Sequence, residues 1–278
     1  MADYVKTENV CENSALDICI THGRISYVKD KTYTERAHIH SNFELYINIS
    51  GDVSFLVENK LYPIERGDII LTMPNEVHHC VYNSTCLHED YCIWINAQGD
   101  MADILNLSTN RNKGEHNLIS MSKEDKQRAI KLIEGMKNKY DSKTFKTPGA
   151  LAELFSLFAL IGKYSTSEKD AMVLPELLED ILKYIDMNLG TECSGEKIAS
   201  EFYISRATLY RMFKSHLNIT PARYIEAKRL SFAKEMLEKK KNIQEVYSLC
   251  GFNDYSHFIS TFKKRFGITP HRYVKEKC

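Results

Sequence analysis

The spacing of hydrophobic positions changes character along the chain. From Ile25 to about Ala97 it comes in short alternating or wholly apolar runs: Tyr33 to His40, Glu44 to Ile49, Val53 to Val57, Lys60 to Ile64, Asp68 to Met73, His78 to Tyr82 and Tyr91 to Ile95. Gly51-Asp52, Glu58-Asn59, Arg66-Gly67 and Pro74-Asn75 interrupt them, which predicts short strands joined by tight turns. Many strands at this spacing imply a barrel or sandwich with an inward face that can line a pocket. Between 121 and 164 the spacing turns helical. Ser122 to Asp125 has the look of a capping box and is followed by Ile130, Ile133, Met136 and Tyr140 on one face; Thr147-Pro148 opens a second helix with Leu151, Leu154, Phe155, Phe158 and Ile161. An antiparallel helix pair is expected, followed by a linker at Ser165 to Lys169.

The last hundred residues contain a repeat. Moved back by 49 positions, His257–Tyr273 falls on Thr208–Tyr224 with seven of seventeen residues identical: Phe213/Phe262, Lys214/Lys263, Ile219/Ile268, Thr220/Thr269, Pro221/Pro270, Arg223/Arg272 and Tyr224/Tyr273. Two copies of one helical unit are implied. Leu209, Met212 and Phe213 in the first copy, and Phe258, Phe262 and Phe266 in the second, share a helical face that must turn inward. Each of these helices follows a short apolar helix (Gly195 to Ser200; Ile243 to Leu249) and a tight turn, with Ser205 and Asn253 or Asp254 placed to cap it. That is a helix-turn-helix, whose second helix fits the DNA major groove with its first turn toward the bases. Ala222 to Lys239 reads as one long helix holding the two readers apart.

Charge supports the division. The whole chain is neutral, with 37 basic and 37 acidic residues, yet residues 1–177 hold 19 Lys and Arg against 25 Asp and Glu, and residues 178–278 hold 18 against 12. A net of −6 on one side and +6 on the other suits a molecule of which only one part approaches a polyanion. A length of 278 residues favours two domains; no apolar run reaches 18 residues, and the N-terminal stretch lacks the basic-then-apolar order of a secretory signal, so a cytoplasmic, membrane-free protein is expected. The eight cysteines form no C-x-x-C pair and are expected to be buried thiols rather than disulfides or zinc ligands.

The basic part resembles the AraC/XylS family of bacterial transcription regulators. The resemblance rests on Gly251-Phe252-Asn253-Asp254-Tyr255-Ser256-His257-Phe258, Phe262-Lys263-Lys264, Phe266-Gly267, Thr269-Pro270 and Tyr273, and covers 178–278. It implies DNA contacts from Ser205, Arg206, Ala207, Thr208, Tyr210, Arg211 and Lys214 in the first motif, and from Asp254, Tyr255, Ser256, His257, Ser260, Lys263 and Lys264 in the second. Ala207 can offer only a methyl contact. Tyr247 stands where family members usually have Ala, so the first helix of the second motif must pack differently, which would loosen the second reader. The family also implies a dimer contact through the helix pair.

The strand region resembles the cupins in His38-x-His40-x3-Glu44-x6-Gly51 and Gly67-x6-Pro74-x4-His79-x3-Asn83. In cupins such residues converge inside a barrel on a divalent metal, which here implies His38, His40, Glu44 and His79, with His78 as the substitute for His79 if the strand register turns it inward. The usual upstream glycine is absent and Glu76 replaces another. AraC-type regulators often keep this pattern without a catalytic metal, so the same residues, with Arg24, Tyr27, Tyr46, Tyr82 and Trp94, are equally candidates for binding a small effector such as a carbohydrate.

The fold expected is therefore α+β in two domains: a cupin-like barrel over 1–120, a helical linker and dimerisation region over 121–170, and an all-α tandem helix-turn-helix over 171–278. The expected function is a non-enzymatic, effector-controlled regulator of promoter DNA, homodimeric, with RNA polymerase as a further partner and no required cofactor. The alternatives are a metal-dependent cupin enzyme carrying a DNA-targeting module and a thiol sensor.

Overall fold

The computed structural model describes residues 5–13, 16–25, 37–84, 86–97, 100, 105, 111–141, 143–164, 174–191, 193–239 and 242–277. The linker candidate Ser165–Lys169 and the effector candidate Tyr27 lie outside them. The chain divides into two compact units. One takes Met1–Tyr33, Ser41–Pro74 and Cys80–Met172; the other takes Thr34–His40, Asn75–His79 and Val173–Cys278.

The first unit is built on antiparallel strands: β1 (Val5–Asn13), β2 (Ile18–Ile25), β3 (Asn42–Ser50), β4 (Val53–Val57), β5 (Lys60–Ile64), β6 (Ile69–Thr72), β7 (His78–Tyr82), β8 (His88–Asn96) and β9 (Leu118–Ile119). Six of them form a sheet in the order β1-β2-β8-β3-β6-β9, and three a sheet in the order β5-β4-β7. The first two strands and the last precede or follow the region read as strands from sequence. Conversely, the strand expected at Tyr33 to His40 is, over its described part, only an isolated bridge between His38 and His78.

Side-chain alternation gives the large sheet two faces. Phe43, Leu45, Ile47, Ile69, Leu71, Tyr91, Ile93 and Ile95 pack against helices α1 (Lys123–Lys139) and α2 (Pro148–Ile161) through Ile130, Ile133, Met136, Leu154, Leu157 and Phe158. Burying such a side chain contributes roughly 1.5–3 kcal/mol, so this seam makes the helix pair part of the unit's core. Phe158 is buried, whereas Phe155 is 38% exposed. The other sheet face meets the small sheet around Tyr46, Ile70, Phe55, Val57, Tyr62 and Cys80.

The second unit is helical: α3 (Glu176–Asn188), α4 (Gly195–Glu201), α5 (Arg206–Leu217), α6 (Pro221–Glu238), α7 (Ile243–Leu249), α8 (Tyr255–Phe266) and α9 (Pro270–Lys277). The repeat reappears as geometry. Thr220 and Thr269 accept from the backbone N–H of Arg223 and Arg272, each at 3.3 Å, and each is followed by a proline that opens a helix. Phe213 stacks edge-on to Tyr224 at 5.7 Å and Phe262 to Tyr273 at 5.8 Å. Helices α5 and α8 each end in a left-handed residue, Asn218 or Gly267. Helix α3, with Leu178, Ile181, Leu182 and Ile185 buried, joins α6 through the Lys228–Asp186 ion pair at 2.7 Å. Among the described residues, no helix is long and apolar enough to cross a membrane.

Candidate nucleic-acid interface and effector site

In the second unit the apolar faces of α5 and α8 are consumed by Leu209, Phe213, Leu217, Phe258 and Phe262, which turns the opposite faces outward. Arg206, Ala207, Tyr210 and Arg211 are exposed on α5, as are Ser256, His257, Ser260, Lys263 and Lys264 on α8. Lys214 is half-buried, and burial followed by the neighbouring Arg223 charge lowers its pKa. The first turns of both helices open into one cleft of about 710 Å³, lined by Arg206 and Tyr210 from α5 and Asp254 and His257 from α8, with Ile225 and Arg229 of α6 at its floor.

Several predicted contacts have local jobs. Ser205 accepts from Thr208 N–H at 3.0 Å, and Asp254 accepts from His257 N–H, so both oxygens cap helices. The Thr208 hydroxyl lies 2.9 Å from Ser205 Oγ. Arg206 is paired with Glu196 at 2.8 Å, and Glu196 is held ionised by its own backbone N–H and then by Arg206. Tyr247 stacks on Tyr255 at 5.3 Å, and Tyr255 OH lies 3.0 Å from His271 Nε2. The unusual tyrosine on α7 thus pins a predicted base reader, leaving Ser256, His257 and Ser260 as the outward groups of that turn. The expected loosening is the opposite of what this pairing does.

In the first unit the candidates for an effector lie on the inner face of the large sheet. Register sets Glu44 opposite both Trp94 and Thr72, Tyr46 opposite both Cys92 and Ile70, and Asn48 opposite Asp90. Trp94 Nε1 donates to Thr21 Oγ1 at 3.4 Å. Burial raises the Tyr46 phenol well above its usual range, so it stays protonated, 3.7 Å from Cys80 Sγ. Both amide atoms of Asn48 and the Thr72 hydroxyl are buried without a hydrogen-bond partner among the described residues. A buried polar atom left unmade costs about 1–3 kcal/mol. Neither residue was singled out from sequence, although Glu44, Tyr46 and Asn48 alternate along one strand. Tyr82 packs beside this cluster. Arg24 does not belong to it: pairing with Glu89 puts it on the outer face with His22, because β2 alternates.

The histidine cluster needs one correction. His78 shares a strand face with Cys80 and Tyr82, so His79 points the other way. His79 is fully buried, its Nε2–H donates to the Leu217 carbonyl at 2.7 Å, and burial lowers its pKa to about 4. His38, His40 and His78 stack at 4.3–5.8 Å between ring centres. All three offer ligand atoms within 4.8 Å of one another. His78 Nδ1 lies 2.8 Å from the Glu76 carbonyl, which makes Nδ1 the donor and leaves the Nε2 lone pair facing His40 Nε2 at 3.2 Å. Metal-ligating imidazoles are usually held in this way, with the far N–H donated to a carbonyl so that tautomer and ring orientation are fixed. Three imidazoles fit a borderline divalent cation.

Cys193 and Cys250 are buried, and burial pushes the Cys250 thiol up to about 12, which makes it unreactive.

Residues 24–155 match the family model for an AraC-like ligand binding domain, and residues 198–276 that for a helix-turn-helix domain. The chain belongs to the AraC family. The chain is 35% identical over 91 residues to a probable transcriptional regulator, LumQ, of Photobacterium leiognathi, covering 32% of this chain and 37% of that protein. It is 31% identical over 94 residues to the transcriptional activator RhaS of Salmonella schwarzengrund, covering 34% of each. The matched stretch thus spans little more than a third of these curated relatives. Among solved structures, ToxT of Vibrio cholerae is similar at 17% identity over 93% of this chain and 97% of that one, with a TM-score of 0.37. Both family matches are to domains of regulators, and none is to an enzyme.

Proposed function

We propose that this AraC-family chain is a sequence-specific transcription regulator acting in the cytoplasm on promoter DNA, controlled by a small molecule held on the inner face of the large sheet. The observation that carries it is the single cleft into which the first turns of two capped, repeat-related helices open. Selection from random duplex DNA followed by binding titrations over a range of salt tests it. Phosphate contacts predict that log K falls by about 0.9 per decade of salt for each phosphate neutralised. A flat salt response would sink the reading.

A polyhydroxyl effector such as a carbohydrate suits the unpartnered Asn48 amide and Thr72 hydroxyl beside the Tyr46 and Trp94 rings. Native mass spectrometry of protein purified without chelator reads the adduct, the homodimer and bound metal in one spectrum. RNA polymerase is proposed as a further partner at the promoter. A second occupant is proposed for His38, His40 and His78: a divalent cation, on which three imidazoles converge. Turnover by the metal-loaded protein would instead favour the enzyme alternative.

A further inference from the structure

Two short segments of the strand region, Thr34–His40 and Asn75–His79, belong to the helical unit. They carry His38, His40 and His78, and they also hold the DNA-binding helices. The Asn75 carbonyl accepts from Ser231 Oγ at 2.7 Å and its amide donates to Glu238 Oε2 at 3.2 Å, both on α6. The other Glu238 oxygen accepts from Tyr273 OH of α9 at 2.6 Å. Backbone bonds tie the two segments to each other, Asn75 N–H to the His40 carbonyl at 2.9 Å and His78 N–H to the His38 carbonyl at 3.0 Å. Ala37 lines a cleft of about 470 Å³ with Leu230 of α6 and His257, Ser260 and Lys264 of α8.

The contact at Leu217 sets the two repeat copies apart. The last carbonyls of a helix have no partner within it. At the end of α8, Gly267 N–H closes onto the Lys263 carbonyl at 2.8 Å. At the end of α5, a side chain 138 positions away in sequence, His79, takes the Leu217 carbonyl. The neighbouring residue, His78, points to the opposite strand face, into the cluster.

We propose that Asn75–His79 is a positioning strap that conveys the occupancy of the His38–His40–His78 cluster to the C-terminal end of the first recognition helix. This rests on reading the cluster as a divalent-cation site. A cation that takes the His78 Nε2 lone pair together with His38 and His40 fixes the backbone at His78. One residue on, strand alternation aims His79 at Leu217, so fixing one ring fixes the other. His79 is a positioning residue, and it touches neither cation nor DNA.

Cobalt(II) is the probe, added to the full chain, with its ligand-field absorption reporting binding and amide hydrogen exchange of 213–219 reporting the end of α5. In the unaltered protein cobalt should produce the absorption band and slow exchange there by about fivefold, the scale of one net hydrogen bond. His79→Leu should keep the band and lose the slowing, and His79→Gln, which retains an N–H donor, should recover it. His79→Leu responding like the unaltered chain would overturn the strap while leaving the cation reading intact. Absence of the band would overturn the cation reading. The strap is then judged without metal, where His79→Leu must exchange faster than His79→Gln at 213–219, and equal rates would overturn it. If His79→Leu fails to fold, Ser231→Ala, which removes one buried hydroxyl and with it the strap's bond to α6, must weaken the cobalt response.

Discussion

Arg206 reaches its partner Glu196 at 2.8 Å in the free protein, and both side chains are exposed. To read a base, the guanidinium must leave that carboxylate, so Glu196 competes with DNA. Glu196→Gln is expected to raise operator affinity by a few fold, the scale of an exposed pair, as read by fluorescence anisotropy. Arg206→Ala should instead relax discrimination at one base pair by roughly 1–3 kcal/mol if the arginine contacts guanine. Lys263→Ala should weaken all sequences alike and reduce the salt slope by about 0.9. In the first unit, burial lowers the His22 pKa below its ordinary 6.5, against the raising effect of Glu89 and with a further lowering from Lys137. Lys137 Nζ sits 2.7 Å from Nδ1 while Nε2 faces Glu89 at 2.7 Å, a pattern that only the neutral ring satisfies. Because the folded pKa is the lower one, the stability this group contributes is fully present above 6.5 and is lost as pH falls through the folded value. Urea midpoints of the unaltered protein should therefore drop between pH 7.5 and 5.5, and His22→Gln should flatten that part of the drop.

At the scale of elements, the repeat made the second unit legible. Identity at Thr220-Pro221 and Thr269-Pro270 is cap chemistry, and identity at Phe213/Tyr224 and Phe262/Tyr273 is a packed ring pair, so the sequence pattern and the helices coincide. The strands were legible where turns bounded them. Val5–Asn13 and Ile18–Ile25 escaped because polar residues dilute their alternation and no Gly or Pro brackets them; β2 is held by its ladder with β8, and β1 by its ladder with β2. The choice between His78 and His79 needed a register that no single-strand pattern contains, and the same holds for Arg24, an effector candidate that the pairing of β2 with β8 sets on the outer face. Asn48 and Thr72 were overlooked because a polar residue in a strand reads as solvent-facing until its cross-strand neighbours are known. Gly251, in the turn before α8, shows what the turn itself demands. It has φ of +77°, and a Cβ there would lie 2.2 Å from the Leu189 carbonyl oxygen at the end of α3. Gly251→Ala is expected to destabilise the second unit by at least about 2 kcal/mol, seen as a lowered thermal midpoint, because both left-handed backbone and a backbone clash oppose it.

At the scale of the whole molecule, two readers share one rigid spacer. Arg229 of α6 donates to the carbonyls of Leu189, Thr191 and Cys193, at 3.0–3.3 Å, gathering the loop before the first motif onto the helix that leads to the second. Readers fixed in this way must enter the duplex on one side, about one turn apart. Inserting about five base pairs, half a turn, between the two half-sites should abolish high-affinity binding, and inserting about ten should not restore it, because α6 cannot lengthen. Gel-shift titrations of spaced operators check this. The Tyr247–Tyr255 stack adds a further consequence. With one tyrosine spoken for inside the protein and its counterpart Arg206 exposed, the two half-sites carry unequal amounts of information. A site written in two unlike halves and read by one chain has a head and a tail, so it works as an arrow on the chromosome: turned end for end, it holds the same protein facing the other way.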